Sequence, residues 1–371
     1  MTPKNHQPLR IHQFHYSVSA TDGVSHHMLF IQSALKQIGI SGEIFASKTN
    51  GISFPQILLL NPEKMWDCDL LIIHHSQGNP DLAKLTHIEI PKMLIYHTIT
   101  PSHFYPHDPS LADLSRLGTL QLASLKTEVM ASFAASEFNR NELIKQHYNN
   151  PQIIPLLDLP IKLKEVPLKR FQFKNTEPKN ILFVGRITRH KNQALLVQTF
   201  FHLKTQLPKN SKLTLVGGHE PIYLDYIKLL CQQLGLSNEV RLTGNVTKKV
   251  LEQYYESADA FVCVSEHEGF CIPLLEAMGR NIPTFFFPET GVKETMGKGG
   301  VSIETKRPEE IAQILATILK NQKAIQTILK SQVLRMQELK KEQNARILQK
   351  QILELVTKVR TSPEIHFDKA L

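Results

Sequence analysis

Short apolar runs of strand length alternate with helical patterns along the first half of the chain. Residues 10–16 form the first run. The segment after it has apolar residues at helical spacing from Val24 to Ile38, until Gly39 ends the pattern. Later runs cover residues 43–46, 69–74, 92–97 and 131–136, and helical patterns cover residues 111–129 and 139–147. Such alternation predicts a parallel, doubly wound sheet, in which functional residues lie at the carboxyl ends of the strands.

The same alternation begins again after residues 159–177, a segment rich in proline, lysine and charge that is predicted to be a linker. The second set has strands at residues 180–184, 212–216, 239–242 and 260–264, and helices at residues 192–205, 222–235 and 248–257. Residues 307–360 are mostly helical in pattern, and Pro308 suits the start of their first helix. The pattern therefore predicts an α/β fold of two Rossmann-like doubly wound domains facing a central cleft, where ligands commonly bind.

Composition places the chain among globular proteins. Hydrophobic residues make up 42% and charged residues 21% of its 371 positions, which excludes global disorder. No apolar run approaches the roughly 18 to 20 residues that span a bilayer, so the protein is predicted to be cytoplasmic. The four cysteines form no CxxC pair and lie in or beside apolar segments; they are Cys68, Cys231, Cys263 and Cys271. They are predicted to be buried thiols rather than zinc ligands or disulfides.

The formal net charge of +9 is carried in part by basic residues late in the chain, between Lys320 and Lys350. A solvated helix face is the first interpretation of this charge. Peripheral contact with an anionic membrane, at its inner face, is the second. Nucleic acid is not predicted as a partner, because the chain has one tryptophan and no strand on which basic and aromatic residues alternate.

Residues 268–278 carry two carboxylates, Glu268 and Glu276, beside a predicted helix start. Pro273 suits the opening of that helix, with Glu276 in its first turn, because the fixed φ of proline is already helical. A strand, a turn with Gly269 and a helix form an anion cradle of free backbone amides and the positive end of the helix dipole. Carboxylates beside such a cradle suit a ligand with both phosphate and hydroxyl groups, such as a sugar nucleotide. Alone, the two could be a cap and a solvent-facing glutamate.

Two cations lie at the ligand end of the strand at residues 180–184. Arg186 follows Gly185 there, and Lys191 precedes the next helix. Arginine pairs bidentately with phosphate oxygens, and lysine acts as a compact point charge. Both would stabilise the negative charge that develops on a leaving nucleoside diphosphate, without a metal ion. Read alone they could be ordinary surface cations, but the two glutamates favour a site.

Histidines mark the ends of two strands in the first half. His74 and His97 each lie where an apolar strand stops, so each is either structural or exposed to a crevice. Gly23 would let a backbone amide approach a ligand at a helix start, or serves only as a turn, and Asp22 is a candidate helix cap. Residues 67–69 contain two aspartates that resemble a metal-binding pair, but they precede a strand and so lie at the wrong end of the sheet.

A set of motifs in the second half resembles glycosyltransferase family 4, whose members are retaining enzymes of the two-domain GT-B fold. The motifs are Gly185-Arg186 with Lys191-Asn192, Leu215-Val216-Gly217-Gly218, Leu242-Thr243-Gly244, residues 255–259, Glu268-Gly269-Phe270 and Glu276-Ala277-Met278. The first half is similar more weakly, through Asp22-Gly23, Tyr96-His97-Thr98-Ile99-Thr100-Pro101, Ala135-Ser136-Glu137 and Ile153-Ile154-Pro155. The resemblance thus covers nearly the whole chain and is strongest over residues 180–300.

The resemblance implies a role for each matched residue. Arg186 and Lys191 would hold the donor diphosphate, and Glu276 the ribose hydroxyls. Glu268 and His97 would contact the transferred sugar near the reacting centre and, with the two cations, form the catalytic set. The implied donor-binding residues are Gly23, Gly185, Arg186, Lys191, Gly217, Gly244, Glu268, Gly269, Phe270 and Glu276. The family also implies a front-face displacement, in which the leaving phosphate helps to deprotonate the acceptor, with no second carboxylate as nucleophile and no metal cofactor.

Three positions depart from the family pattern. Cys271 stands where the family often has glycine, Leu156-Leu157 replaces the usual Asn-Gly, and Phe285-Phe286-Phe287 makes one strand unusually aromatic. The first affects the predicted geometry of the loop that carries Glu268, and the second that of the hinge between the two predicted domains. None of the three removes a charged group that the donor would need.

These observations predict a retaining glycosyltransferase that moves a sugar from a nucleoside diphosphate sugar to a glycan or lipid-linked acceptor. Surface polysaccharide or lipopolysaccharide biosynthesis is its expected setting. Its domains would be residues 1–172 for the acceptor, residues 173–345 for the donor, and residues 346–371, a helical segment that packs back on the first domain. The alternatives are an epimerase or hydrolase of nucleotide sugars with the same fold, and a non-catalytic sugar-nucleotide-binding adaptor.

Overall fold

The structure, a computed structural model, describes residues 9–19, 22–50, 55–87, 89–158 and 177–361. It divides the chain into two compact units, the first formed by Met1–Leu159 with Lys340–Leu371 and the second by Pro160–Leu339. The predicted division between residues 172 and 173 lies outside the described residues, as does nearly all of the predicted linker.

The first unit is a seven-stranded parallel sheet with helices between the strands. Its strands are β1 (Ile11–Ser19), β2 (Ile44–Asn50), β3 (Ile57–Leu59), β4 (Leu70–His75), β5 (Lys92–Tyr96), β6 (Ala131–Ala134) and β7 (Gln152–Ile153), in the order β3-β2-β1-β4-β5-β6-β7. Its helices include α1 (Gly23–Gln37), α2 (Pro62–Met65), α3 (Leu82–Thr86), α4 (Pro109–Leu125) and α5 (Glu137–Lys145). The strand order reverses between β1 and β4, and such a switch point opens a crevice at the carboxyl ends of the strands.

Local chemistry explains where these elements begin and where the sequence prediction differs. Asp22 caps α1, because its carboxylate accepts hydrogen bonds from the amides of Val24 and Ser25 at 3.2 and 3.0 Å. Strand β1 extends to Ser19, beyond the predicted end at residue 16, because its ladder with β2 continues to the pair Ser19 and Asn50. The short elements β3, α2 and α3 were not predicted, since three to five residues carry too little periodicity.

The second unit is a six-stranded parallel sheet. Its strands are β8 (Asn180–Val184), β9 (Lys212–Val216), β10 (Val240–Leu242), β11 (Ala260–Cys263), β12 (Thr284–Phe286) and β13 (Val301–Ser302), in the order β10-β9-β8-β11-β12-β13. Its helices are α6 (Gln193–Leu203), α7 (Pro221–Gln233), α8 (Lys248–Ser257), α9 (Ile272–Gly279), α10 (Gly291–Met296), α11 (Pro308–Leu319) and α12 (Gln322–Glu342). The strand order reverses between β8 and β11, which places the switch point of this unit there.

A last helix, α13 (Ala345–Thr361), completes the first unit. Its Leu348 and Ile352 are fully buried in one core cluster with Ile31 of α1. The side-chain amide of Gln349 donates to the carbonyl of Ala34 at 2.7 Å, which ties the two helices together. Among the described residues, no helix is long and apolar enough to cross a membrane.

Candidate functional site

Three glycines bring the ends of β8, β9 and β10 into backbone contact. The amide of Gly185 donates to the carbonyl of Val216 at 2.9 Å, and the amide of Gly217 donates to the carbonyl of Gly244 at 3.0 Å. Gly217 has a φ of 140°, and a Cβ there would lie 2.3 Å from the carbonyl oxygen of Gly185. The close approach therefore requires glycine. It leaves the carboxyl ends of the three strands without side chains that would fill the crevice.

The turn after β8 presents Arg186 and Lys191 differently. Arg186 is exposed, and among the described residues its guanidinium has no ion-pair partner. Its backbone carbonyl accepts a hydrogen bond from the Gln193 side chain at 2.9 Å, which fixes the start of the turn. Residues Arg189–Lys191 form one turn of 3₁₀ helix, and Asn192 in the left-handed conformation leads from it into α6. Lys191 is thereby directed inward while Arg186 remains in solvent.

Lys191 and Glu268 form an ion pair that joins the turn after β8 to the loop after β11. The side chains are 18% and 9% exposed, so the pair lies largely out of water. Burial lowers the pKa of Lys191, but the Glu268 carboxylate and the nearby Cys271 outweigh it, so the pKa is raised overall. The lysine therefore remains charged. An anionic ligand that reached this turn would compete with Glu268 for the same ammonium group.

The loop that carries Glu268 is held by a second backbone segment. The amide of Glu268 donates to the hydroxyl of Thr290 at 2.8 Å, and its carbonyl accepts from the amide of Gly291 at 3.0 Å. A Cβ at Gly291 would lie 1.9 Å from the carbonyl oxygen of Gly269. The Thr295 hydroxyl also donates to the carbonyl of Phe270. Three backbone groups of the loop are thus hydrogen-bonded to α10 and the residue before it, the Glu268 amide and the carbonyls of Glu268 and Phe270.

Cys271 connects this loop to α9 in a conformation that favours glycine. It is the residue before α9 and has a φ of 68°, in the left-handed region. Glycine adopts this conformation without the steric cost of a Cβ atom. The thiols of Cys271 and Cys263 lie 3.9 Å apart, and all four cysteines of the chain are free and buried, as predicted.

Glu276 lies one residue further into α9 than the sequence predicts, which places it beyond the first turn. The helix begins at Ile272, so Glu276 is its fifth residue and Pro273 its second, and no acidic residue lies in the first turn. The prediction was wrong because Cys271 turns the chain into the helix two residues before Pro273. The Glu276 carboxylate accepts a hydrogen bond from the hydroxyl of Tyr255 at 2.7 Å.

Arg280 and Glu252 extend the network around Tyr255 and Glu276. Arg280 donates to the backbone carbonyl of Glu276 at 2.8 Å and pairs bidentately with Glu252 at 3.0 and 2.6 Å. Its guanidinium also lies 4.6 Å from the centre of the Tyr255 ring. Burial raises the pKa of Tyr255 well above its ordinary value, and the Glu276 carboxylate raises it further. The tyrosine therefore stays protonated and remains a donor to Glu276.

The first unit places Gly23 and His97 at its own switch point. Gly23 is the exposed first residue of α1, the helix that follows β1, and His97 follows β5 with its amide donating to the carbonyl of His75 at 2.8 Å. The ring of His97 is hydrogen-bonded to that of His74 at 3.0 Å, and the other ring nitrogen of His74 is bonded to Gln13 at 3.0 Å. Burial lowers the pKa of both rings well below the ordinary value, so both are neutral near pH 7.

The two aspartates of residues 67–69 lie at the amino end of the sheet, as predicted. The side chain of Asp67 forms an ion pair with Arg10, and Asp69 accepts a hydrogen bond from the amide of Arg10 at 2.8 Å. Both carboxylates therefore fix the start of β1. They are remote from the carboxyl ends of the strands, where His97 and Gly23 lie.

Some contributors to the site could not be inferred from the sequence. Thr290 and Gly291 follow an aromatic strand and have no charge that would single them out. Gln13 carried a signal, because it is a polar residue within a strand that is buried from Ile11 to Tyr16. Tyr255 was part of a matched motif, but no role followed from it.

A family comparison covers most of the second unit. Residues 166–332 match the model of the family described as glycosyl transferases group 1. Residues 166–332 are therefore similar to glycosyl transferases group 1. The matched segment contains Arg186, Lys191, Glu268 and Glu276, the charged residues that the sequence analysis singled out.

Curated relatives of the group 1 domain are also glycosyltransferases. An uncharacterized glycosyltransferase of Methanocaldococcus jannaschii is 31% identical over 194 residues, which are 51% of this chain and 47% of that protein. The N-acetylgalactosamine-N,N'-diacetylbacillosaminyl-diphospho-undecaprenol 4-alpha-N-acetylgalactosaminyltransferase of Campylobacter jejuni is 27% identical over 191 residues, 51% of this chain and 50% of that protein. The chain spans about half the length of these relatives.

Solved structures show that the whole fold is GT-B. Sucrose-phosphate synthase from Thermosynechococcus elongatus has a TM-score of 0.73 at 18% identity, covering 95% of this chain and 99% of that one. WaaG, a glycosyltransferase involved in lipopolysaccharide biosynthesis, has a TM-score of 0.70 at 14% identity, covering 94% and 99%. The chain therefore has the two parallel-sheet α/β domains that the sequence predicts.

Proposed function

We propose that the protein is a retaining glycosyltransferase of family 4 that transfers a sugar from a nucleoside diphosphate sugar to a glycan or lipid-linked acceptor. The observation that carries the proposal is the Lys191–Glu268 ion pair at the switch point of the second unit, with Glu276 held on the following helix. One cation and two carboxylates lie where an open α/β sheet binds its ligand. The names of the Campylobacter relative and of WaaG support a role in surface polysaccharide or lipopolysaccharide assembly.

In this proposal the cations bind the phosphate groups of the donor and the carboxylates bind its hydroxyl groups. Lys191 and Arg186 bind the diphosphate, and their charge stabilises the leaving group more in the transition state than in the ground state. When the diphosphate pairs with Lys191, Glu268 is released to accept a hydrogen bond from the transferred sugar. Glu276 accepts from the ribose, and Tyr255 fixes its orientation. The leaving phosphate accepts the acceptor proton, so this proposal needs neither a second carboxylate nor a metal ion.

Single substitutions test these roles. Glu276→Ala removes hydrogen bonds to a charged group, which are worth about 1.5–3 kcal/mol each, so donor binding should weaken by roughly 10- to 150-fold. Arg186→Ala should mainly lower turnover, since its exposed guanidinium has no structural partner among the described residues. Lys249→Ala and Glu256→Ala are matched controls, because both residues are exposed on α8.

The assay measures donor binding by calorimetry and turnover by product analysis, with and without an acceptor. The donor is chosen first by a thermal-shift screen of nucleotide sugars, because preferential stabilisation identifies the bound donor. Unchanged binding and turnover in both site variants would overturn the proposed site. Donor consumed equally without any acceptor would instead indicate an epimerase or hydrolase, and donor bound but never consumed would indicate a non-catalytic adaptor.

A further inference from the structure

We propose that Gln13 and His74 are positioning residues that keep the proton of His97 on its Nε2 atom, so that His97 offers Nδ1 as a hydrogen-bond acceptor to a sugar hydroxyl. The assignment of the hydroxyl rests on the proposed function. The proton positions themselves rest only on hydrogen bonds within the first unit.

Gln13 sets the direction of donation along the series of hydrogen bonds from Gln13 through His74 to His97. Its Nε2 atom donates to the backbone carbonyl of Met28 at 3.0 Å, and its Oε1 atom lies 3.0 Å from Nε2 of His74. A backbone carbonyl can only accept, so the amide end of the side chain must face Met28. The reversed side chain would put two oxygens against each other and two nitrogen-bound hydrogens near His74. Gln13 is 1% exposed, so water does not compensate for such an arrangement.

The remaining proton positions follow in two steps. Because Oε1 of Gln13 is an acceptor, Nε2 of His74 carries the proton, and in a neutral ring Nδ1 of His74 is then a lone pair. That lone pair lies 3.0 Å from Nε2 of His97, which must therefore be the protonated nitrogen of His97. Nδ1 of His97 is the lone pair that remains. A carbonyl on α1 thus determines the tautomer of a histidine at the end of β5.

Both rings stay neutral, which this reasoning requires. His74 and His97 are 2% and 8% exposed, and burial lowers the pKa of each well below its ordinary value. Neighbouring rings add to the effect: His97, His27 and His15 face His74, and His27, His15 and His75 face His97. Hydrogen bonding alone therefore selects the tautomer near neutral pH.

The tautomer limits what His97 can recognise. A lone pair at Nδ1 accepts from a hydroxyl group, whereas it would repel a phosphate oxygen. Of the two parts of a nucleotide sugar, His97 is thereby suited to the sugar. With the opposite tautomer, Nδ1 of His97 would be a donor and would lose this selectivity. The hydrogen bond made by Nε2 of His97 therefore decides which ligand group Nδ1 can recognise.

Nuclear magnetic resonance of the full chain with ¹⁵N-labelled histidine tests the proposal directly. The expected spectrum shows a proton on Nε2 of His97, a bare Nδ1, and scalar coupling across the hydrogen bond between Nε2 of His97 and Nδ1 of His74. His97→Gln identifies the signals. Protonated Nδ1 of His97 in the wild-type protein, or absence of the coupling, would overturn the proposal without any variant having to fold.

Gln13→Met keeps the length of the side chain and replaces the carbonyl by a weakly accepting sulfur. The loss of one buried hydrogen bond should lower the ratio of Nε2-protonated to Nδ1-protonated His97 roughly three- to tenfold. Gln32→Met is the matched control, because Gln32 also donates to a backbone carbonyl, that of Gly42 at 3.1 Å, but lies outside the histidine chain. An unchanged ratio in Gln13→Met, or an equal change in Gln32→Met, would contradict the role of Gln13.

These measurements do not depend on turnover. If the expected tautomer is found and no sugar is transferred, the positioning chain stands and the proposed function fails. If sugar is transferred and the tautomer is wrong, the proposed function stands and the positioning chain fails.

Discussion

Acidification is expected to destabilise the first unit through its buried histidines. His27 and His75 are each 2% exposed, and burial lowers the pKa of each from 6.5 to about 4. The folded rings therefore bind fewer protons than the unfolded ones below pH 6.5. The stability that this contributes is fully present above pH 6.5 and is lost as the pH falls toward 4.

The magnitude follows from the two pKa values. A pH of about 5 is about 1.5 units below the pKa of a histidine in the unfolded chain. Each pH unit of this difference corresponds to about 1.36 kcal/mol. Each ring therefore lowers the free energy of unfolding by about 2 kcal/mol, and the pair by about 4 kcal/mol. The pKa values of His15, His74 and His97 are lowered in the same direction by burial, so their contribution has the same sign.

Urea unfolding at about pH 7.5 and about pH 5 measures this loss. The single tryptophan of the chain, Trp66, lies in the first unit and is 50% exposed, so its fluorescence reports that unit. His75→Gln keeps a donor for the carbonyl of Gly118, which the His75 ring contacts at 2.8 Å, and should reduce the difference between the two pH values by about 2 kcal/mol. His87→Gln at the exposed end of α3 is the control. A wild-type difference below about 1 kcal/mol, or one unaltered by His75→Gln, would refute the reasoning.

Two further predictions concern the loop that carries Glu268. Gly291→Ala should lower the free energy of unfolding by about 1–3 kcal/mol, because the added Cβ would meet the carbonyl oxygen of Gly269. Thermal unfolding followed by circular dichroism measures the loss, and a melting temperature equal to that of the wild type would contradict the contact. Cys271→Val should be less stable than Cys271→Gly by about 2 kcal/mol, because a β-branched residue is strained at a φ of 68°. Thermal unfolding of the two variants makes the comparison, and equal stability would show that this backbone conformation is not retained.

The sequence predicts the sheets of this protein well because both units repeat one pattern. In the second unit, strands β8 and β9 and helix α8 have the predicted bounds. The apolar runs of the two strands end abruptly before Gly185 and Gly217, and Thr247 caps the start of α8. Boundaries are harder to predict from sequence where the backbone leaves its usual conformation. Cys271 is the clearest case, because its left-handed φ shifts the start of α9 and moves Glu276 out of the first turn.

The candidate site is less predictable, because its geometry depends on contacts between distant segments. The charges of Lys191 and Glu268 are visible in the sequence, but their direct pairing depends on how the turns after β8 and β11 approach each other. The hydrogen bonds from Thr290 and Gly291 to Glu268 involve backbone groups, which every residue possesses. Gln13 contacts His74 only because β1 and β4 pair in one particular register.

Helix α13 has a consequence for how the protein is made. Its Leu348, Ile352 and Leu355 share a core with Ile11 at the start of β1, although the entire second unit lies between them in the sequence. During synthesis the first unit emerges without this helix, and the apolar surface of α1 remains uncovered until the second unit has been translated. A domain normally folds as it leaves the ribosome, amino-terminal first. Here the first unit begins folding first and is completed last, so a nascent chain arrested before Ala345 should bind chaperones through the surface that α13 later covers.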